Sequence, residues 1–277
     1  MTLTTHDGLA LHTHHWPAAA APRGQVLICH GLGEHMGRYA HVAAALNAHG
    51  WDVHGWDHRG HGHSGGPRGD VPGPDALLRD TALVIDAVRQ PGRPFVLLGH
   101  SMGGAVAARF AADALAAQPA AWRRPLDGLV LSSPALDPGL SGAQKLALAI
   151  AEKLTPGLAV GNGLKPEWIC RDPAVVAAYV ADPLVHDRIT ARLTRFIVDA
   201  GAHVITQASH WAVPTLLMWA EADRCVAPRG SEAFAAAAPA QVVATRPWAG
   251  CAHEIFNEPE KAAVLATLTN WLDGRAR

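Results

Sequence analysis

Val96-Leu97-Leu98-Gly99-His100-Ser101-Met102-Gly103-Gly104-Ala105 reads as an apolar strand, then Gly-x-Ser-x-Gly, then the start of a helix built of small residues. The turn between them has to be sharp to lift the Ser101 hydroxyl above a sheet. Side chains at 99 and 103 would collide inside it, which gives both glycines a mechanical reason. Gly-x-Ser-x-Gly by itself is a frequent chance match, but one set between a strand and a helix is far rarer. The placement predicts Ser101 as a nucleophile rather than as an ordinary serine cap.

Working outward from this turn, short apolar runs alternate with longer helical patterns. Residues 26–29, 51–56, 94–98, 126–132, 215–219 and 241–247 read as strands, and 39–49, 75–89, 105–117, 231–238 and 260–272 as helices. That alternation predicts βα units around a mainly parallel sheet, an α/β class of fold. Two early segments, around Leu3 and over 9–15, read as an antiparallel lead-in turning at Asp7-Gly8. Between Pro134 and Val213 the rhythm breaks into Ala/Leu-rich helical stretches punctuated by Pro and Gly, with no parallel strand. This predicts a core of residues 1–134 and 213–277 with a helical cap, 135–212, inserted into it. Within the cap, 143–154 is apolar around most of its circumference, interrupted by Gln144, Lys145, Glu152 and Lys153. One face should pack and another stay greasy, which fits either a helix buried between neighbours or a lid that faces lipid.

The composition agrees with a large packed core. Of 277 residues, 49% are hydrophobic and 17% charged, and 23 Lys+Arg balance 24 Asp+Glu, which excludes a disordered chain and leaves no basic footprint for nucleic acid. Cys29, Cys170, Cys225 and Cys251 are too sparse for a disulfide framework and show no Cys-x-x-Cys spacing, so they read as reduced thiols. Residues 1–16 contain no basic start followed by an apolar run, and no stretch reaches 18 uninterrupted apolar residues. The expectation is a cytoplasmic protein, with transient peripheral contact at a membrane surface through the cap; oligomeric state is not legible.

A serine hydroxyl is a poor nucleophile until a base takes its proton, and in this architecture the partners follow in the order Ser, acid, His. Asp223 sits just past the strand 215–219, at the carboxyl end where open α/β sheets place their sites. His253 falls in the loop after the strand 241–247 and before the last helix. Asp187 and Asp199 lie inside the insertion and read as solvated charges, whereas His203 and His210 precede a strand and so stand at its wrong end. The assignment is Ser101 as nucleophile, His253 as general base and then general acid, and Asp223 as the group that fixes the imidazole tautomer. For the developing oxyanion, the backbone N–H groups of Met102 and of Leu32, in the loop His30-Gly31-Leu32-Gly33-Glu34-His35, are the expected donors.

The chain carries 17 histidines, four of them (His54, His58, His61 and His63) within ten residues. Neither that segment nor any other contains His-Glu-x-x-His, and a Gly/His-rich turn suffices to explain it, so no metal and no cofactor are expected. His30 and His35 read as packing and hydrogen-bonding groups, His12 and His14 as one solvent-facing side of a strand, and Cys29 as a small buried hydrophobe.

Over nearly its whole length the sequence resembles the α/β-hydrolase superfamily, and within it the monoacylglycerol lipase and lysophospholipase-like group, also called serine aminopeptidase-like hydrolases. The motifs are His30-Gly31-Leu32-Gly33-Glu34-His35 with Arg38-Tyr39, Asp57-His58-Arg59-Gly60-His61-Gly62-His63-Ser64, Gly99-His100-Ser101-Met102-Gly103-Gly104, Asp182-Pro183-Leu184-Val185, Asp223-Arg224, and His253-Glu254-Ile255-Phe256-Asn257-Glu258. The resemblance implies an eight-stranded sheet flanked by helices, the same triad, the same two oxyanion amides and a cap in the later half of the chain. Similar proteins carry Gly three residues before the acid; here Ala220 stands there, which raises the expectation of an altered turn into Asp223.

The leading expectation is a cofactor-free serine hydrolase that cleaves single-chain lipid esters, monoacylglycerols or lysophospholipids, through an acyl-enzyme. The alternatives are a short-chain carboxylesterase, an aminopeptidase, which would need an acidic pocket for a free amino terminus, and a non-catalytic ligand-binding protein. The intact set Ser101, Asp223 and His253 argues against the last of these.

Overall fold

Strands β3 (Gly24–Cys29), β4 (Trp51–Trp56), β5 (Phe95–His100), β6 (Gly128–Ser132) and β9 (Thr215–Ala220) are buried along their whole length. Strands covered on both faces have no reason to alternate, which is why most of these read as largely apolar runs, while β4 also buries Asp52 and His54. The structure, a computed structural model, describes residues 1–116, 118 and 120–275. With β1 (Thr2–Thr4), β2 (Ala10–Trp16) and β10 (Val243–Trp248) the strands form an eight-stranded sheet in the order β1-β2-β4-β3-β5-β6-β9-β10. β1 and β2 are antiparallel to each other, β2 is antiparallel to β4, and all the remaining pairings are parallel. The lead-in turns where expected, with Gly8 at φ +80°.

The pleat sorts the core into two layers. Val26, Ile28, Val96, Leu98, Val130, Leu216 and Met218 pack with α1 (Ala40–Ala48) and α8 (Lys261–Asp273). Leu27, Leu97, Leu129 and Leu217, one residue out of phase, pack with α2 (Ala76–Val88), α3 (Ser101–Ala112), α6 (Ala191–Gln207) and α7 (Pro228–Ala237). Helix α3 begins four residues before the expected 105, because the chain passes straight from extended His100 into the helix. Its expected end at Ala117 lies outside the described residues.

Between β6 and β9 come α4 (Gly142–Leu154), β7 (Val160–Gly161), α5 (Pro173–Ala181), β8 (Arg188–Ile189) and α6. None of this joins the main sheet; β7 and β8 pair only with each other. The insertion serves two layers. Leu193, Phe196, Ile197, Ala200 and Val204 of α6 lie in the core against α3, where the Cα of Gly201 leaves space for the Leu136 carbonyl. The segment before α6 roofs the sheet. In it, α4 is opened by a capping box between Ser141 and Gln144 and buries only Leu148, while Leu146, Ile150 and Leu154 stand 64%, 51% and 75% exposed.

Candidate active site

Ser101 has φ +54°, the left-handed region that a side chain normally avoids. Strain of this kind costs on the order of 1–3 kcal/mol and persists only where the surroundings impose it. Here the imposition is visible. A Cβ at Gly99 would lie 2.3 Å from the Gly103 carbonyl oxygen, and one at Gly103 would lie 2.2 Å from the Cys29 carbonyl oxygen, so the first turn of α3 is wedged against the end of β3. Gly31 comes equally close to the nucleophile: a Cβ there would sit 3.2 Å from Ser101 Cβ.

Asp223 and His253 stand just past the ends of the last two strands. β9 ends at Ala220, paired with Trp248 of β10, and Ala220 keeps a negative φ that an alanine adopts without strain. Asp223 Oδ1 accepts from the backbone N–H groups of Cys225 (2.8 Å) and Val226 (3.0 Å), and Oδ2 faces His253 Nδ1 at 2.6 Å. Those two amides fix the carboxylate so that its other oxygen can only meet the ring. Burial disfavours a charged His253, but the Asp223 carboxylate outweighs it, with Glu254 and Glu34 adding, and the net pKa lies above the ordinary 6.5. Burial and the neighbouring His253 push His100 the other way, to about 3, so this ring, 4.8 Å from that of His253, stays neutral. Ser101 and His253 line the same cavity without a hydrogen bond between them; such contacts commonly close only around substrate.

Met102 is the second residue of α3, and its N–H is among the first-turn amides that have no intrahelical acceptor. Leu32 lines the cavity from the facing loop. That loop is held from behind. His30 Nδ1 donates to the Gly31 carbonyl (2.7 Å) while His30 Nε2 accepts from the His58 N–H (2.9 Å), and Gly31 N–H donates to Glu34 Oε1 (2.6 Å). Glu34 also accepts from the Tyr39 hydroxyl and from Arg38, whose guanidinium grips Glu254 through two bonds of 2.7 Å. Burial resists ionisation of Glu34, yet Arg38 holds its carboxyl at about 2. One half-buried arginine thus joins the loop 30–35 to the residue after His253.

The cavity, about 330 Å³, has Ser101 and His253 in its floor and residues from 162 to 187 as roof. Leu164, Ile169, Tyr179, Val180 and Val185 make part of the roof apolar. The cap is strapped to the catalytic loops: Asp182 accepts from His35 (2.8 Å), His186 N–H donates to the Gly33 carbonyl (2.9 Å), and Glu254 N–H donates to the Ile169 carbonyl (2.7 Å). Arg171 reaches the buried Glu258, which also accepts from Ala252 N–H beside His253. Reasoning from the residues alone singled out Ser101, His253 and Leu32, which line this one cavity, and Asp223, which meets His253 from behind, but it did not point to the Arg38 and Arg171 ion pairs or the roof. Arg38, Asp182, Val185, Glu254 and Glu258 stood in quoted motifs, whereas Arg171 carried no signal.

The Gly/His-rich loop is wound around Asp57, which accepts from the N–H groups of Met36 and His63. His58 and His61 are buried inside it, as packing groups. His14 departs from its expected solvent exposure: it is 19% exposed and lies against Asp57. The Cys29 thiol is fully buried and its pKa is driven up, away from the reactive thiolate.

A parallel sheet, a strained serine between β5 and α3, and an Asp–His pair on the loops after β9 and β10 define the α/β-hydrolase class. The serine aminopeptidase S33 family matches residues 20–260, and the chain belongs to that family. It is 36% identical to a monoacylglycerol lipase of Mycolicibacterium smegmatis, over 93% of this chain and 90% of that protein. It is 31% identical to the phospholipase YtpA of Bacillus subtilis, over 92% of this chain and 97% of that one. Among solved structures, the monoacylglycerol lipase of Paleococcus ferrophilus superposes with a TM-score of 0.85 at 30% identity, covering 96% of this chain and 99% of that one.

Proposed function

We propose that the protein is a serine hydrolase that cleaves single-chain lipid esters, of the monoacylglycerol or lysophospholipid kind, through an acyl-enzyme. The observation that carries this reading is the 2.6 Å contact between His253 and Asp223 in the cavity that also holds the strained Ser101. In the reaction, His253 Nε2 takes the Ser101 proton as Oγ attacks the ester carbonyl. The Leu32 and Met102 amides receive the oxyanion, and the imidazolium, held by Asp223, returns its proton to the leaving alcohol. Water then repeats the sequence on the acyl-enzyme. Neither step draws on a cofactor or metal.

Lipid preference is supported by the names of the relatives and by the apolar part of the roof. The exposed stripe Leu146, Ile150 and Leu154 supports docking of the cap on a lipid surface from which substrate enters; no helix of the described residues is long and apolar enough to cross a membrane. Peptidase activity on free amino termini lacks its main requirement. Glu34, Glu254, Asp182 and Asp187 do line the cavity, but Arg38, His35 and Arg188 already engage them, and Lys165 adds positive charge.

The deciding experiment is kcat/KM over p-nitrophenyl esters of rising acyl length, beside monoacylglycerol and lysophosphatidylcholine of matched chains. A maximum at medium or long chains with monoacylglycerol cleaved is expected. A maximum at acetate or butyrate with both lipids refused would replace the reading with a short-chain carboxylesterase.

A further inference from the structure

We propose that His15, His54 and Asp52 form a surface site for one borderline divalent transition-metal ion, Zn²⁺ or a chemical neighbour, on the far side of the sheet's antiparallel edge from the catalytic chemistry. His15 of β2 stands directly opposite His54 of β4, and Asp52 lies two residues before His54 on the same face. Both Nε2 atoms point at one carboxylate: His15 Nε2 is 3.1 and 3.2 Å from the two Asp52 oxygens and His54 Nε2 is 2.9 Å from Oδ2. The three ligand atoms lie within 4.8 Å of one another. Zinc ligands at about 2.0–2.2 Å in a tetrahedron stand roughly 3.4 Å apart, so small side-chain rotations bring these atoms to coordinating distance.

Two further groups of comparable compactness occur among the described residues, and each is already in use. Asp223, Cys225 and His253 belong to the catalytic site, and in the group of Cys251, Glu258 and Glu260 the two carboxylates hold the Arg171 guanidinium. Asp52 has no Lys or Arg partner among the described residues; its only acceptor contacts are with the two imidazoles and the Ala18 N–H. Gln25 Nε2 also lies 3.3 Å from His54 Nε2, and no fixed cation neutralises this buried carboxylate among the described residues.

Solvent reaches the group through His15, whose side chain is 50% exposed. That ring stacks on His54 at 4.2 Å and 3°, and has to tilt for both lone pairs to meet one ion; its exposure permits the tilt. Each neutral imidazole then keeps its proton on Nδ1, leaving Nε2 to the metal, and water completes the coordination. Two imidazoles with one carboxylate suit zinc, nickel, cobalt or copper rather than calcium or magnesium. Asp52 pairs with Gln25 toward the amino ends of the parallel strands, whereas Ser101 follows the carboxyl end of β5. Such an ion would clamp β2 to β4 and take no part in hydrolysis.

The test is titration of the chelator-stripped chain with Zn²⁺ by calorimetry, with thermal unfolding in parallel. One equivalent should be lost, or weakened at least tenfold, in His15→Ala and in Asp52→Asn, and retained in His12→Ala. At zinc about 100 times Kd the wild-type Tm should rise by several degrees, and the His15→Ala variant should not respond. Unchanged stoichiometry and affinity in His15→Ala, or no saturable binding by the wild type, would overturn the site. Because His15 is exposed, its variant folds. Binding is read without turnover, so the result stands apart from the ester that the enzyme prefers.

Discussion

Ser101 is caught between function and backbone comfort, and two substitutions separate them. Ser101→Ala should abolish ester hydrolysis at nearly unchanged Tm. Ser101→Gly should be equally inactive but more stable by about 1 kcal/mol, since glycine relieves the φ of +54°. A glycine variant less stable than wild type would mean that the elbow is not strained. At Asp223, replacement by Asn turns an amide toward His253 Nδ1 and leaves the proton on the wrong nitrogen; kcat should fall on the order of 10⁴-fold. In the wild type the rising limb of kcat/KM against pH should be centred above 6.5, because His253 must be neutral to act as base and Asp223 holds its proton longer than solvent would. A limb centred below 6.5 would contradict the electrostatics of the pair. Ser101, Asp223 and His253 were legible as candidates because each falls at the carboxyl end of a recognisable strand, where chain order limits the choices. The Arg38–Glu254 pair was not, since its partners stand 216 residues apart and only the folded sheet brings them together.

At the scale of elements, strands were legible as runs: 51–56 is reproduced residue for residue, and β9 and the largely exposed edge strand β10 to within two at each end. Hydrophobic periodicity says which residues share a face but not what the face meets, and α4 shows the difference. Its pattern left burial and exposure both open, and the structure leaves Leu146, Ile150 and Leu154 in solvent. The edge histidines make the same point, because cross-strand register between β2 and β4 has no linear motif. If the α4 stripe meets lipid, Ile150→Glu with Leu154→Glu should leave p-nitrophenyl butyrate hydrolysis within about twofold. It should lower turnover of monoacylglycerol presented in vesicles about tenfold or more, since a charge carried into an interface loses hydration. Equal loss on both substrates would instead locate the stripe in cap folding. Ser141, the helix cap, provides the control: Ser141→Ala should cost about 1 kcal/mol in stability and leave the ratio of the two activities unchanged.

At the scale of the molecule, the histidines govern how stability depends on acid. His30, His58 and His61 are buried with pKa values lowered by burial, His58 and His61 well below 6.5, and His100 is pushed to about 3. Glu34 and Asp57 favour a charged His30, while His30, His61, His186 and Arg68 oppose charge on their neighbours, so burial wins throughout the group. Below pH 6.5 the unfolded chain takes up protons that these folded rings refuse, and the native state therefore loses stability as pH falls. Each such ring costs at most about 1.4 kcal/mol per pH unit, and four together at most about 5.5 kcal/mol per pH unit, against a total stability on the order of 5–15 kcal/mol. His253 has the opposite sign: its raised pKa adds stability that is full below 6.5 and fades as pH rises through the folded value, but it is one group against four. Thermal unfolding followed from pH 8 to 4 should thus show a Tm that is nearly level above 7, drops steeply below 6.5, and gives way to acid unfolding near pH 5. A Tm level down to pH 5 would mean that the buried rings accept protons, and that the loop around Asp57 is open to water.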